Sequence, residues 1–173
     1  MESLKKRELN FWKRNYNISG NELHLISKEQ HRFNFRDSEV DDDYLFWLTS
    51  RKKIVGQFDL DNSLITNQGV KYLSEMESVK ELRLKGCRGI NKGCLSYLNK
   101  ITSLELLHIG GTAINLDDIK KLSALQNLEL LLVSTNEGET EIKEKVADLK
   151  QLFPNCEMNV NHQLIDELNY NIR

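Results

Sequence analysis

Proline and long apolar runs are the scarcest features of this sequence. Its 173 residues include one proline, Pro154, and no low-complexity segment, so we predict little disorder away from the ends. No apolar run approaches the ~20 residues that a membrane helix needs. Residues 1–8 carry positive charge but are not followed by an apolar stretch, which is unlike a secretory signal. We therefore expect one globular domain without a membrane segment.

An excess of charge of either sign is also missing. The chain has 24 Lys and Arg against 26 Asp and Glu, and its formal net charge is −2. This balance gives no broad attraction for nucleic acid or for anionic membrane, so we expect neither as a partner. The cysteines, Cys87, Cys94 and Cys156, are odd in number and irregular in spacing, which is not typical of a disulfide framework. We predict reduced thiols and a cytoplasmic location.

Signatures of catalysis and metal binding are scarce as well. Asp41–Asp43 suggests either a metal site or the start of a helix, and the second is favoured because a hard cation needs oxygens that converge from several directions. The glycine-rich residues 86–94 lack the order of a phosphate loop, and no Gly-x-Ser-x-Gly elbow is present. The histidines do not have a metal-ligand spacing. We expect no cofactor, no metal and no enzymatic activity.

The sequence does contain an internal repeat. Pairs of apolar residues two positions apart return every 24 or 25 residues, at Phe33/Phe35, Phe58/Leu60, Leu82/Leu84, Leu107/Ile109, Leu131/Val133 and Cys156/Met158. A spacing of two is typical of a strand, in which alternate side chains point to one face. A period of this length is typical of repeat architectures.

The second half of each unit predicts a helix. A residue of N-cap type follows an aliphatic residue in four units, at Asp41, Thr66, Asn91 and Asn115. Apolar residues three apart come next, at Leu45/Leu48, Val70/Leu73, Leu95/Leu98 and Ile119/Leu122. Each unit is therefore predicted to be a short strand, a tight turn and an amphipathic helix of two to three turns. Because no unit buries its apolar face alone, we expect the units to stack with parallel strands.

These columns resemble those of the leucine-rich repeat family. "VKELRLKGC" (79–87) and "LELLHIGGT" (104–112) resemble its Leu-x-x-Leu-x-Leu-x-x-Asn/Cys pattern, and "LRLKGCRGINKGCLSYL" (82–98) is similar to the cysteine-containing subclass. The resemblance covers about residues 30–160. It implies an α/β solenoid, a right-handed βα coil with about six short parallel strands on the concave face and helices on the convex face. A small polar or thiol side chain also recurs three residues past each of the first five pairs, in what we call the turn column: Ser38, Ser63, Cys87, Thr112 and Asn136. In such a coil these side chains are expected to satisfy buried backbone N–H groups, so Cys87 is a structural residue.

The ends of the chain are predicted to cap the solenoid. Residues 1–29 are expected to form a cap from a helix over 2–16 and a strand over 21–27, which pairs with 32–35 as a hairpin. Residues 161–173 form a C-terminal cap or tail, in which Leu164 and Leu168 have the spacing of a short helix. The acidic residues 134–141 precede a helix from about Thr140 to Leu152. They form either a simple acidic start to that helix or an added contact element.

The alternation within each strand predicts a binding surface. If the paired residues point inward, the residues beside them point outward on the strand face. Leu106 and Leu130 then occupy equivalent positions on strands roughly 4.8 Å apart, with Leu132 on the same face. An apolar patch with a charged rim often marks a contact site. The predicted partner-binding residues are Leu106, His108, Leu130, Leu132, Arg83, Glu81 and Asp59. The alternatives are that the 133–141 loop or the C-terminal tail covers the leucines, or that they are exposed without a function.

The function that agrees with these features is protein binding without catalysis. The family resemblance implies a rigid scaffold whose concave strands bind another protein, with no cofactor. Two roles remain open, an adaptor and a stoichiometric inhibitor such as an immunity protein. We expect the chain to be monomeric alone. The alternative is a structural protein that associates with itself through the leucines, and an enzyme or metalloprotein has less support.

Overall fold

Seven strands form one sheet in the computed structural model, which describes residues 3–165. The strands are β1 (Glu29–Asn34), β2 (Ile54–Asp59), β3 (Ser78–Arg83), β4 (Leu106–His108), β5 (Leu130–Val133), β6 (Glu157–Val160) and β7 (Gln163–Ile165). They lie side by side in the order of the chain. Each of β1 to β6 runs parallel to the next, and β7 pairs antiparallel with β6. The fold is therefore α/β, with an open and mostly parallel sheet.

A helical segment lies between each pair of consecutive parallel strands. The helices are α1 (Leu4–Tyr16), α2 (Asp42–Arg51), α3 (Asn67–Leu73), α4 (Leu95–Leu98), α5 (Leu116–Ile119) and α6 (Glu139–Leu152). A 3-10 turn precedes α4 and another follows α5, so that each of these segments makes about two turns. Neighbouring segments from α2 to α6 contact each other. None of the helices within residues 3–165 has the length and apolar character to cross a bilayer.

The predicted N-cap residues begin the four helical segments between β1 and β5. The Asp41 carboxylate accepts the N–H of Tyr44 at 2.9 Å, and Thr66 and Asn91 cap their helical segments in the same way. Asn115 forms a capping box with Asp118, in which each side chain accepts the other residue's N–H. These bonds satisfy N–H groups that have no partner within a helix. The predicted helix starts are confirmed.

A left-handed residue closes the turn after each of the first four strands. These residues are Asp37 (φ 55°), Asn62 (φ 57°), Gly86 (φ 69°) and Gly111 (φ 69°). Only Gly, Asn and Asp adopt this conformation at low cost, so the residue types follow from the backbone. At Gly86 a Cβ would also lie 2.1 Å from Oδ1 of Asn62, so any other residue there would displace the Asn62 side chain. The periodic turn brings each strand end against the next helix.

The small residues of the turn column also have a structural role. The Cys87 thiol donates to the carbonyl oxygen of Leu60 at 3.1 Å and lies 3.6 Å from Ser63 Oγ. The Ser38 and Thr112 hydroxyls donate to the carbonyl oxygens three residues before them. The structural interpretation of Cys87 is confirmed, although these side chains mostly satisfy carbonyl oxygens and not the N–H groups that the sequence suggested.

The core lies on the side of the sheet that the apolar pairs face. Leu107 and Ile109 of the β4 unit are 0% exposed, and so are the register partners of Leu107, which are Leu82 and Leu131. Leu106 is partly exposed, and it alternates with these buried residues. The predicted inward direction of the paired residues is therefore confirmed, and the face that carries Leu106 is turned away from the core.

The N-terminal helix is confirmed, but the predicted hairpin is wrong. Leu23–Leu25 forms a 3-10 turn, and residues 21–27 contribute no strand to the sheet. The turn is stabilised by Ser19 and Glu22, because the Ser19 N–H donates to the Glu22 carboxylate at 2.9 Å and the Glu22 N–H donates to the Ser19 carbonyl oxygen at 3.0 Å. The alternating leucines resembled a strand, and the Ser-x-x-Glu spacing is the signal that the sequence analysis missed.

Helix α1 covers the first unit through an aromatic cluster. Trp12 is 1% exposed, and the ring of Phe11 packs edge-on against the ring of Tyr44 in α2. The hydroxyls of Tyr16 and Tyr44 share a hydrogen bond at 2.9 Å. These contacts pack α1 against the first strand–helix unit.

The predicted C-terminal helix is wrong where the structure tests it. Residues 163–165 form β7, in which Leu164 pairs with Asn159 of β6. Asn161 and His162 have positive φ values of 52° and 68°, which reverse the chain tightly enough for the antiparallel pairing. Leu168 lies outside the described residues.

Candidate functional site

Two register rows define the face of the sheet that is turned away from the core, which we call the open strand face. The first row is Arg32, Gln57, Glu81, Leu106, Leu130 and Glu157, and the second is Asn34, Asp59, Arg83, His108, Leu132 and Asn159. Arg36, Asp61 and Lys85 follow the second row by two residues on β1 to β3. All seven residues that the sequence predicted as a contact site belong to these two rows.

The three predicted leucines lie together at the centre of the open strand face. Leu106 pairs in register with Leu130, and Leu132 is two residues further along β5. All three are partly exposed, whereas Leu131 between the last two is 0% exposed. Leucine side chains are therefore accessible from solvent in a contiguous group.

Neither predicted cover removes these leucines from solvent within the described residues. The loop after β5 turns toward the last strands, where Asn161 bonds the backbone N–H and carbonyl oxygen of Thr135 at 3.0 and 2.9 Å. Lys145 of α6 binds Glu137 of the loop at 2.7 Å and Asp117 of α5 at 2.8 Å. The acidic segment is thus held against the helices by ion pairs. The tail as far as Ile165 is the edge strand of the sheet.

Beside the leucines, two acids lie beneath an arginine. Asp59 and Asp61 are 2% and 1% exposed. Arg36 binds both, with its Nη2 3.0 Å from Asp59 Oδ2 and 2.9 Å from Asp61 Oδ2. The other oxygen of Asp61 accepts the backbone N–H of Lys85 at 2.8 Å. The hydrogen bond to Asp59 is the largest cause that raises the pKa of Arg36.

This ion pair changes the role expected of Asp59. Its side chain lies on the open strand face as predicted, but Arg36 and Arg32 cover it, so a partner meets the arginines first. Arg36 and Asp61 are not among the residues that the sequence predicted for this site. The sequence does show two acids two residues apart, and a basic residue at a similar level of the preceding unit. That the Arg36 side chain reaches diagonally to both acids can be seen only in the structure.

His108 lies between the ion pair and the leucines. It is 8% exposed, and its Nδ1 is 3.8 Å from Asp61 Oδ2, which is longer than a hydrogen bond. Burial is the largest cause that lowers the pKa of His108, the charge of Asp61 opposes it, and Lys85 and Arg83 lower the pKa further. The imidazole is therefore neutral at pH 7.

Arg83, at the end of β3, and Lys85, two residues after it, are less closely paired with acids than Arg36 is. The Nη2 of Arg83 lies 3.6 Å from Glu81 Oε2, and its Nε is buried without an acceptor. Among residues 3–165, no acidic side chain forms an ion pair with the ammonium of Lys85. Both cations border His108, which is the register partner of Arg83.

The chemistry available here differs from that of a catalytic relay. A Cβ on Gly110 would lie 3.2 Å from His108 Nε2 and 3.0 Å from Ser134 Oγ, so a hydroxyl and an imidazole approach the same point. A relay also needs an acid that accepts a hydrogen bond from the imidazole. Asp61 lies too far from Nδ1 for that bond and is held by Arg36 instead. His108, Ser134 and Asp61 therefore form a polar cluster on the open strand face.

The acidic triplet and the cysteines, which were also candidates for a site, have structural roles or are buried. Asp42 accepts the N–H and the hydroxyl of Thr66 at 2.9 and 2.5 Å, so the acidic triplet stabilises helix starts. In the part of the chain that the structure describes, no group of three acidic, histidine or cysteine side chains is placed to hold a metal ion. The cysteines are unpaired and buried. Burial raises the pKa of Cys94 to about 12 and that of Cys156 to about 11, so these thiols stay protonated.

Comparison of the chain with models of protein families found no match, and comparison with curated proteins found none either.

Proposed function

We propose that this chain is a leucine-rich repeat coil that binds another protein through the open strand face. The coil is supported by strands that pair in chain order with a helical segment between each pair. It is further supported by the turn that returns in the left-handed conformation every 24 or 25 residues. In this proposal the open strand face is the concave side, residues 30–160 form the solenoid and the flanking segments cap it.

The observation that carries the binding proposal is the group of partly exposed leucines on a rigid sheet. Leu106, Leu130 and Leu132 are held by neighbouring parallel strands, so they present a fixed surface. Burying a leucine side chain contributes at most about 1.5–3 kcal/mol, from which the cost of association is subtracted. A patch of this kind with charged neighbours has the composition of a protein contact site.

The proposed molecule has no catalytic role and no cofactor, and it works in the cytoplasm. Either an adaptor or a stoichiometric inhibitor of the immunity type agrees with a surface of this kind. In both roles the charged rows next to the leucines orient the partner and speed association. The two roles differ in their effect on the partner, because an inhibitor abolishes the partner's activity and an adaptor leaves it unchanged.

The test is the double variant Leu106→Asp with Leu132→Asp. We expect it to keep the fold and to lose the partner that the wild-type chain captures from an extract of its native cells. The matched control is Leu64→Asp with Leu152→Asp, because these leucines are 61% and 38% exposed and lie away from the open strand face. Circular dichroism checks the fold of both variants. If the test variant unfolds or the control loses the partner equally, the proposed site is wrong.

Self-association through the same leucines is the second outcome that the experiment distinguishes. Sedimentation velocity over a hundredfold range of concentration reports the mass of the wild-type chain. We expect a monomer at all concentrations. If the wild-type chain forms a dimer and the double variant Leu106→Asp with Leu132→Asp is a monomer, the partner of this surface is a second copy of the chain.

A further inference from the structure

The charges on the open strand face are divided between a buried layer and an exposed layer. The acids Asp59 and Asp61 lie in the buried layer, with side chains 3% and 1% exposed. The arginines above them are exposed, since the side chains of Arg32 and Arg36 are 47% and 43% accessible. A partner that approaches β1 and β2 therefore meets cations, and the acids below act chiefly to hold them.

Arg83, whose side chain is 26% exposed, and the partly exposed Lys85 have no comparable acids beside them. The nearest acid of Arg83 is Glu81 at 3.6 Å, which is beyond hydrogen-bond range. Its Nε is buried and has no acceptor among the described residues, which shows that the surrounding fold does not satisfy this guanidinium. The Lys85 ammonium has no ion pair in the described part of the chain. The neighbouring imidazole of His108 is neutral and supplies no negative charge.

The same two cations border the leucine group. Arg83 pairs in register with His108, and His108 pairs with Leu132. Strands lie roughly 4.8 Å apart, so Arg83 and Leu132 are about 10 Å apart across the sheet. Residues two apart in an extended peptide are separated by about 6.5–7 Å, and residues three apart by about 10 Å. One short extended segment therefore spans both the cations and the leucines.

We propose that the partner presents an Asp or Glu side chain two to four residues from an aliphatic side chain, with the acid bound between Arg83 and Lys85 and the aliphatic group on Leu106, Leu130 and Leu132. The inference rests on the proposed function and specifies the chemistry of the partner. The carboxylate binds the exposed part of the Arg83 guanidinium, whose ion pair with Glu81 at 3.6 Å is beyond hydrogen-bond range, and charge strengthens the new hydrogen bond. A basic segment at the same place is repelled by Arg83 and Lys85, which gives selectivity.

The experiment selects peptides on the full chain from a phage-displayed library of random twelve-residue sequences. We expect the bound peptides to be enriched in Asp or Glu near Leu, Ile, Val or Phe. Their affinities are then measured by fluorescence anisotropy for wild type, for Arg83→Gln with Lys85→Gln, and for Leu106→Asp with Leu132→Asp. Arg88→Gln with Lys92→Gln removes the same charge from exposed positions away from the face and is the control.

The expected result is a loss of about tenfold or more with Arg83→Gln and Lys85→Gln, a loss of binding with the leucine variant, and no change with the control. Exchange of the peptide's acid for lysine should restore binding to Arg83→Glu with Lys85→Glu. Peptides that need the leucines but bind equally well without the two cations would overturn this inference and leave the proposed function intact. Basic selected peptides would overturn it too, and peptides indifferent to both pairs of substitutions would overturn the inference and the proposed site together.

Discussion

Replacement of Leu107 by alanine tests the alternation of buried and exposed residues along β4. Leu107 is 0% exposed, and its register partners Leu82 and Leu131 are 0% exposed too. Alanine removes the branched end of the side chain and leaves a cavity between these two leucines. The neighbouring strands cannot move inward without breaking the parallel ladder, so the cavity stays open. We expect the free energy of unfolding to fall by about 3–5 kcal/mol, the upper part of the range for buried leucines.

The matched control is Leu106→Ala, one residue away on the same strand. Leu106 is partly exposed, so its truncation leaves an indentation in the surface and not a closed cavity. We expect a loss of less than about 1 kcal/mol. Urea denaturation followed by circular dichroism measures both values, and the slope with denaturant should be the same in both variants. Equal losses, or a larger loss for Leu106→Ala, would refute the assignment of the two faces.

Three further predictions concern the turn, the ion pair and the histidine. Gly86→Ala should lower the free energy of unfolding by about 1–2 kcal/mol in urea denaturation, because the residue has φ 69° and a Cβ would displace the Asn62 side chain. Arg36→Gln should lower the free energy of unfolding by about 2–3 kcal/mol in the same assay, which is less than for a fully buried pair because Arg36 is partly exposed. Its control is Arg32→Gln, which removes an ion pair of 3.5 Å to Asp59 and should lower the free energy of unfolding by less than about 1 kcal/mol. Burial lowers the pKa of His108 in the folded chain, so the unfolded chain binds the proton first as pH falls. Stability from this group is therefore complete above about pH 6.5 and declines below it, and His108→Gln should reduce that decline in melts at pH 7.5 and 5.5.

The strands and helix starts were predictable because each is encoded within a few neighbouring residues. The apolar pairs have a spacing of two, and Asp41, Thr66 and Asn115 cap helices with their own side chains. The repeat multiplies these local signals, since the same position recurs at each turn. Errors occurred outside the repeat, where Leu23 and Leu25 alternate like a strand but a Ser-Glu turn decides the conformation.

The polar part of the candidate site was less predictable because it depends on distances across strands. Arg36 reaches diagonally to Asp59 and Asp61 on the neighbouring strand, and the periodic pattern says nothing about that reach. The exposure of Asp59 was overestimated for the same reason, since Arg36 and Arg32 cover it. Alternation states which face a side chain joins, but long neighbours such as Arg36 decide how much of that face solvent can reach.

The leucines at the centre of the open strand face are not required by the strand itself. The positions that align with Leu106 and Leu130 in the same register row hold Arg32, Gln57 and Glu81 on one side and Glu157 on the other. Those strands pair in the same parallel ladder with polar residues there, so the backbone accepts polar side chains along the whole row. Two adjacent strands nevertheless carry leucine, and exposed apolar area gains nothing in the folded chain alone. In the proposed function the gain comes from contact between these leucines and a partner, which would explain why two adjacent strands carry leucine in a row of otherwise polar residues.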